Sequence, residues 1–287
     1  MAKKPGDVVN YMSIDFEEWY HGLTSTSTRY DEWPGYEDRI EVGHRFLLET
    51  FEEFDVKATY FTVGKLARDN PDIIRELAAA GHEMGLHSDM HNRIDAMTAD
   101  EFRQNLADNI KAIKDITQQT PKGYRCPFFS MNSSLSWFWE ELAAQGVEFD
   151  SSLFPIKTPL YGDPSASRVP YVQETKNGDV REFPMPTLRP LDLFDLPFAG
   201  GFYFRALPYW MLKALTQWFN AKGKPVIYYF HPWEFDPDQP KPSFRTPRER
   251  VSHYWGLAWN RQKMRALCRD FNFAPMGSAP IPELRKS

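Results

Sequence analysis

Residues 58–91 read ATYFTVGKLARDNPDIIRELAAAGHEMGLHSDMH, and this stretch decides the fold class. Residues 58–63 form an apolar, β-branched run that is typical of a buried strand. Asn70 and Pro71 predict the start of a helix, because proline is favoured at the first helical position. A second strand is predicted at residues 83–87. A strand, a helix and a strand this close together predict a parallel pair joined by a right-handed crossover.

The same alternation of strand-like and helix-like segments continues on both sides of this stretch. A capping box from Thr98 to Glu101 predicts the start of one long helix. Five β/α units with short connections favour an α/β fold built on a parallel barrel or sheet. The further strands are predicted at residues 8–16, 122–125, 147–149 and 226–230.

The regular pattern breaks between about residues 150 and 205, where proline, glycine, aspartate and aromatic residues are frequent. We predict an irregular insertion there, with a hairpin around Asn177 and Gly178. A helical extension is predicted at about residues 250–275. No shift in composition divides the chain, so we predict a single domain over residues 1–287.

The composition is that of a folded protein, since 42% of the 287 residues are hydrophobic and 25% are charged. A net charge of −5 leaves no basic excess for a phosphate backbone, so we expect no nucleic-acid partner. No apolar run approaches the ~20 residues of a transmembrane segment. Residues 1–9 do not resemble a signal peptide, so we expect a cytoplasmic location. Cys126 and Cys268 alone form neither a disulfide framework nor a thiolate metal site, and the sequence indicates no oligomeric state.

Polar residues follow four of the predicted strands, at the end where parallel barrels carry their active sites. The first group contains Asp15 and Glu17, which fall on the same side of an extended chain. One carboxylate could hold a cation while the other takes up a proton. The alternative is a solvated rim of acidic residues.

The other three groups also have a structural and a functional interpretation. His87 and His91, four residues apart, could bind one metal ion on a shared face or be unrelated loop residues. Arg125, in a loop stiffened by Pro127, could fix the charge of a carboxylate or simply lie at the rim. His231 could transfer protons near neutral pH or be structural. Two histidines and one carboxylate together suit a catalytic metal site with an open position for water.

In this order the motifs resemble those of the NodB-homology polysaccharide deacetylases, carbohydrate esterase family 4, over about residues 8–235. The first motif resembles a variant with one residue between its two acids. The run Gly200-Gly201-Phe202-Tyr203-Phe204-Arg205 and the run Phe230-His231-Pro232-Trp233-Glu234 are similar to the branch found in bacterial exopolysaccharide gene clusters. The matching motif residues are Asp15 and Glu17; His87, Ser88 and His91; Arg125, Pro127 and Ser130; and His231.

The resemblance implies a distorted (β/α) barrel, usually of seven strands. It implies a hydrolase that removes N-acetyl groups from an amino-sugar-containing saccharide or exopolysaccharide precursor and releases acetate. The expected cofactor is a divalent metal ion, zinc first, and the expected partner is the N-acetylated saccharide. The implied roles are metal binding by Glu17 (or Glu18), His87 and His91; catalysis by Asp15 as base, Arg125 as its partner and His231 as acid; and substrate binding by Pro127, Tyr203 and Trp233.

Two points depart from the family pattern. The adjacent Asp-Asp pair of the first motif is absent, which leaves the choice between Glu17 and Glu18 as metal ligand. The Asp-Trp motif that tunes the acid histidine is not evident either. The candidates for that second role are Asp150, Asp192, Asp195 and Glu234.

Two other functions stay open from the sequence. One is a hydrolase of the same fold acting on a non-sugar amide or on a cyclic ureide such as allantoin. The other is a non-catalytic saccharide-binding protein, since aromatic residues make up 15% of the chain and can stack on sugars. The candidate stacking rings are Trp19, Tyr20, Trp33, Tyr203 and Trp233.

Overall fold

The structure is a computed structural model that describes residues 8–22, 27, 29–158, 161–189, 195–241, 244 and 246–286. Its chain contacts divide into two compact units, Met1–Ala58 with Phe198–Ala274 and Thr59–Pro197 with Pro275–Ser287. Within the described ranges, no helix combines the length and apolar character needed to cross a membrane.

The strands and helices alternate along most of the chain. The strands are β1 (Asn10–Phe16), β2 (Thr59–Thr62), β3 (Glu83–Leu86), β4 (Gly123–Tyr124), β5 (Phe149–Asp150), β6 (Tyr171–Gln173), β7 (Val180–Glu182), β8 (Thr187–Leu188), β9 (Leu196–Pro197), β10 (Ile227–Phe230), β11 (Phe273–Ala274) and β12 (Arg285–Lys286). The α-helices are α1 (Ile40–Phe54), α2 (Gly64–Asp69), α3 (Pro71–Ala79), α4 (Ala99–Thr117), α5 (Phe138–Ala144), α6 (Gly201–Ala206), α7 (Tyr209–Asn220), α8 (Pro247–Tyr254) and α9 (Leu257–Asp270).

The first unit is built around β1, which pairs in parallel with β10 and with β11. Every residue of β1 is buried, as expected of a parallel strand covered on both faces. The register with β10 places Ile14 opposite Phe230. The residues that come next, Asp15 and His231, are therefore neighbours across the pair.

The second unit contains four consecutive parallel strands, β2 to β5, and β7 continues the parallel pairing beyond β5. Leu86 lies opposite Tyr124, and Tyr124 lies opposite Asp150. The predicted hairpin around Asn177 and Gly178 is confirmed, because β6 and β7 on either side of it pair antiparallel. The predicted irregular insertion also contains the short antiparallel pair β8 and β9.

The predicted parallel α/β arrangement is confirmed, with strand ends shifted by one or two residues, and so is the capping box that starts α4 at Thr98. Three local features were not evident from the sequence. Gly64 begins α2, a short helix that follows β2. Asn70 precedes α3, yet its side chain donates to the Leu66 carbonyl instead of capping the helix. The C-terminal helix is two helices, because Gly256 adopts a φ of 78° between them.

The start of α1 packs closely against the short 3₁₀ turn Pro232–Phe235 that follows β10. A Cβ atom at Gly43 would lie 1.9 Å from the carbonyl oxygen of Pro232. Because the obstructing atom is backbone, no side-chain rotation can relieve such a clash. Glycine at this position is what allows the helix and the turn to approach.

Gly43→Ala is expected to destabilise the protein. In a helix, alanine is favoured over glycine by about 1 kcal/mol, but the forced backbone shift should outweigh this and cost a net ~1–3 kcal/mol of unfolding free energy. Urea unfolding measures the difference. The control is Gly35→Ala, where the added Cβ meets no atom within 4 Å. Equal stability of the two variants would contradict the close contact.

Candidate active site

Asp15, Glu17 and His231 gather at the ends of β1 and β10. The Nε2 atom of His231 lies 3.9 Å from an Asp15 oxygen and 3.8 Å from a Glu17 oxygen. Both carboxylates are buried, at 3% exposure each. The parallel register thus brings a predicted base, a predicted metal ligand and a predicted acid to one place.

The protonation of His231 is set by its acidic neighbours. Burial lowers the pKa of its imidazole, but the charge of Glu17, the hydrogen bond and charge of Glu234, and the charge of Asp15 outweigh burial and raise the pKa to about 9. A cation bound beside Glu17 would oppose this shift, because it would offset the negative charge.

Glu17 and Glu18 have different surroundings, which separates the two candidate ligands. Glu18 is 1% exposed, and one of its oxygens accepts from the backbone N–H groups of Arg39 and Ile40, at 2.6 Å each. It therefore caps the first turn of α1, whose free N–H groups need acceptors. Burial raises the pKa of Glu18 to about 7 although these N–H groups lower it. Glu17 instead accepts a bond from the indole Nε1 of Trp233, 3.1 Å away.

In the second unit, His87 and Arg125 follow the register-matched ends of β3 and β4. The Nδ1 atom of His87 lies 2.8 Å from the Arg125 carbonyl oxygen. Since a carbonyl only accepts, Nδ1 carries the proton and Nε2 keeps the lone pair that a metal ion needs, an arrangement usual for metal-binding histidines. The His91 ring lies 5.1 Å from the His87 ring, centroid to centroid, and packs edge-on against Phe128.

Backbone strain is concentrated in the loops after β3 and β4. Ser88 and His91 have φ angles of 64° and 52°, and Phe128 and Phe129 have φ angles of 57° and 47°. Left-handed conformations are uncommon for such residues and cluster at functional sites. The two other non-glycine residues with positive φ in the described part of the chain, Asp55 and Gln118, lie at helix C-termini, where this conformation is routine.

Arg125 is fully buried and held by the segment after β5. Its Nε donates to the Ser151 carbonyl and one terminal nitrogen to the Ser151 hydroxyl, both at 3.0 Å. Its guanidinium lies 4.4 Å from the centre of the Phe61 ring. Pro127 is also buried, and Ser130 donates to its carbonyl oxygen. Ser130 of the third motif therefore stabilises the loop.

Comparison with known proteins gives two family matches along the chain. Residues 31–148 match the polysaccharide deacetylase family, and residues 151–279 match a domain of unknown function (DUF3473). The chain contains a polysaccharide deacetylase domain. A peptidoglycan deacetylase of Helicobacter pylori is 31% identical over 174 residues, which cover 58% of this chain and 56% of that protein. The chain thus spans just over half the length of this relative.

Solved structures confirm the fold of this polysaccharide deacetylase domain as the NodB type of (β/α) barrel. A Mycobacterium smegmatis protein assigned as a polysaccharide deacetylase matches 100% of this chain and 98% of its own, with a TM-score of 0.61 and 20% identity. Puue allantoinase matches 94% of this chain and 88% of its own, with a TM-score of 0.55 and 18% identity. At these identities the likeness shows the fold alone.

The donor chemistry of the deacetylase motifs fits a metal ion. Glu17 offers a carboxylate, and His87 and His91 each offer an imidazole; all three side chains are buried. This is the ligand set of one type of catalytic zinc site. The Nδ1–H bond of His87 to the Arg125 carbonyl oxygen gives His87 the tautomer usual for metal-binding histidines.

The aromatic residues proposed to stack on sugar are placed differently from one another. Trp19, Tyr20 and Trp33 lie in the core, at 2–6% exposure, which argues against a substrate platform. Trp233 stacks on the His231 ring at 5.0 Å and on the His253 ring at 4.6 Å, so imidazoles cover its indole. Tyr203 lies on α6 and is half-buried.

Four acids were candidate partners of His231, and one of them contacts it. Glu234 lies 3.2 Å from its Nδ1 atom. Asp150 instead accepts bonds from the backbone and hydroxyl of Ser152. Asp195 pairs with Arg168, and Asp192 lies outside the described residues. The sequence offered Glu234 as one option among four but gave no sign of its own partner, Arg205.

Asp150 and Glu182 form a fully buried carboxyl pair in the second unit, opposite each other in β5 and β7. Burial raises the pKa of Asp150 to about 6, although hydrogen bonds from Glu182 and Ser152 lower it. Burial and the charge of Asp150 raise the pKa of Glu182 well above its ordinary value. The folded pair therefore retains a proton that the unfolded chain releases near pH 4.

Glu182→Gln should change how stability depends on pH. The raised pKa values mean that the pair contributes most at low pH and loses its contribution as pH rises through about 6. The variant amide can donate to an ionised Asp150, so this loss should disappear. From pH 4.5 to 7.5, the stability of the variant relative to wild type should rise by about 1–3 kcal/mol in urea unfolding. Glu53→Gln, on the surface, is the control. A difference that does not change with pH would contradict the shared proton.

Proposed function

We propose that the protein hydrolyses N-acetyl groups of an amino-sugar-containing saccharide and releases acetate and a free amine. The polysaccharide deacetylase domain and the similarity to a peptidoglycan deacetylase support this proposal. The observation that carries it is the placement of His231 within 3.9 Å of both Asp15 and Glu17. A base and an acid side by side are what amide hydrolysis requires.

In the proposed reaction, the amide C–N bond breaks and a C–O bond to water forms. Asp15 takes a proton from the attacking water, with Arg125 as its proposed partner. His231 gives its Nε2 proton to the leaving nitrogen, which departs as an amine. Glu17, His87 and His91 would hold a divalent ion, zinc first, which when bound would polarise the acetyl carbonyl.

The proposed substrate is an exopolysaccharide or its precursor. The support is the similarity of the run from Gly200 to Arg205, and of the run from Phe230 to Glu234, to the exopolysaccharide branch of the family. In the structure these two runs contact each other through Arg205 and Glu234. Pro127, Tyr203 and Trp233 stay proposed substrate-binding residues, and Tyr203 is the most exposed of the three. Imidazoles cover both faces of Trp233, so its proposed contact with sugar is through the edge of the ring.

Acetate release is the direct test. The purified protein, incubated with chitin oligosaccharides, peptidoglycan and exopolysaccharide fragments, should release acetate with added zinc and lose this activity with a chelator. His231→Ala should lower kcat by ~10²–10⁴, because a general acid is removed. Turnover of allantoin without acetate release would favour ureide hydrolysis. Glycan binding without any turnover would favour a non-catalytic protein.

Variants of the two neighbouring glutamates should separate metal binding from helix capping. Glu17→Gln should lower the zinc content, measured by mass spectrometry after dialysis, because it removes the anionic ligand. Glu18→Gln should keep its zinc but lose ~1–3 kcal/mol of unfolding free energy, because buried N–H groups lose a charged acceptor. The reverse result, zinc lost only in Glu18→Gln, would contradict the assignment of Glu17.

A further inference from the structure

The turn after β10 brings an acid back onto the histidine at its start. One oxygen of Glu234 accepts from the backbone N–H of His231 at 3.0 Å and lies 3.2 Å from its Nδ1 atom. An ionised carboxylate only accepts, so Nδ1 carries the proton. The other ring nitrogen, Nε2, is then the one that exchanges protons, and it faces Asp15 and Glu17.

The second oxygen of Glu234 is held by a buried arginine. Arg205 Nε donates to it at 2.7 Å, and the two side chains are 2% and 0% exposed. Burial alone would raise the pKa of Glu234, but the charge of Arg205 and the bond to His231 outweigh burial and lower it. Glu234 therefore stays ionised between one cation and one imidazole.

Arg205 is itself fixed by the backbone of the C-terminal helices. Its terminal nitrogens donate to the carbonyl oxygens of Ser252, His253 and Trp255, at 2.6–2.9 Å. These carbonyls lie at the end of α8, where unsatisfied acceptors favour a cation. The backbone carbonyls therefore hold the guanidinium group of Arg205 in place. Its hydrogen bond to Glu234 in turn fixes the position of the Glu234 carboxylate.

We propose that Glu234, anchored by Arg205, is the positioning residue of His231. It fixes the ring orientation and the tautomer, so that Nε2 presents the proton. The expected effect on kcat rests on the proposed function. The expected ring orientation and tautomer of His231 rest on the geometry alone. Asp150, another of the four sequence candidates for this role, accepts hydrogen bonds from Ser152 instead.

A buried ion pair is not needed to stabilise this region, because apolar residues of similar volume would be as favourable in general. What an apolar pair could not supply is an acceptor for Nδ1. The opposite face of the turn is already packed, since Trp233 stacks between the rings of His231 and His253. Packing therefore limits the position of the imidazole, and Glu234 sets its protonation pattern.

Glu234→Gln provides the test. The variant amide should turn its oxygen to Arg205, a donor only, and its NH₂ group to Nδ1 of His231. The neutral ring should then carry its proton on Nε2 instead of Nδ1. The doubly protonated ring, which is the form that releases the Nε2 proton as an acid, should be disfavoured because two donors would face each other at Nδ1. We expect kcat to fall ~10–100-fold with KM changed less than ~3-fold, while zinc content stays at the wild-type level. Glu234→Asp, which keeps the charge, should recover part of kcat.

The tautomer is read directly from ¹⁵N-histidine NMR spectra, with the His231 signals assigned by their loss in His231→Ala. In spectra recorded at high pH, where the ring is neutral, wild type should show a protonated Nδ1, and Glu234→Gln should show the change to Nε2. This readout tests positioning even if the protein releases acetate from no glycan, which would refute only the proposed function. Glu53→Gln, the matched surface change, should alter neither readout. An unchanged tautomer, or an unchanged kcat in an active enzyme, would overturn the inference.

Discussion

The parallel register of neighbouring strands is the constraint on which the candidate site depends. Ile14 opposite Phe230 makes Asp15 and His231 neighbours, although 216 positions separate them in the chain. The same rule acts in the second unit, where the pairs Leu86–Tyr124 and Tyr124–Asp150 are followed by His87, Arg125 and Ser151. Those following residues contact one another through the His87 ring and the Arg125 side chain. A slip of one residue would turn each side chain to the other face of its sheet.

Buried charge at these strand ends is compensated in four different ways. Glu18 has backbone N–H donors, Glu234 has an arginine, Arg125 has carbonyl and hydroxyl acceptors, and Asp150 shares a proton with Glu182. Each solution satisfies a group whose burial alone would cost several kcal/mol. Only the solution at Glu234 also leaves an oxygen for a residue with proposed chemistry. This difference separates acids that maintain the fold from an acid that acts on the site.

The sequence predicted the elements that depend on a local pattern of residues. It did not predict the contacts between residues that are distant in the chain. The strands were predicted because their apolar runs are bounded by glycine and by polar residues, and the start of α4 because its capping box is local. The break at Gly256 was missed although glycine commonly marks the end of a helix; here Gly256 has a φ of 78° between α8 and α9. The pairing of Arg205 with Glu234 had no sequence signal, since 29 residues and an intervening helix and strand separate them. The preference for Glu17 as metal ligand rested on strand alternation. In the structure the decisive difference is that Glu18 accepts from backbone N–H groups at the start of α1, and no short-range sequence pattern encodes that contact.

The turn Pro232–Phe235 joins these separate constraints into one. Trp233 donates to Glu17 and stacks on His231, and Glu234 accepts from His231. A shift of the turn would therefore move the proposed metal ligand Glu17 and the proposed acid His231 together. Helix α1 packs against the turn at Gly43, which has no Cβ atom. A Cβ atom of any other residue there would overlap the Pro232 carbonyl group. The close helix contact is therefore part of what positions the acid. A stability determinant and a chemical determinant coincide here because the same four residues supply the packing surface and the hydrogen-bond partners.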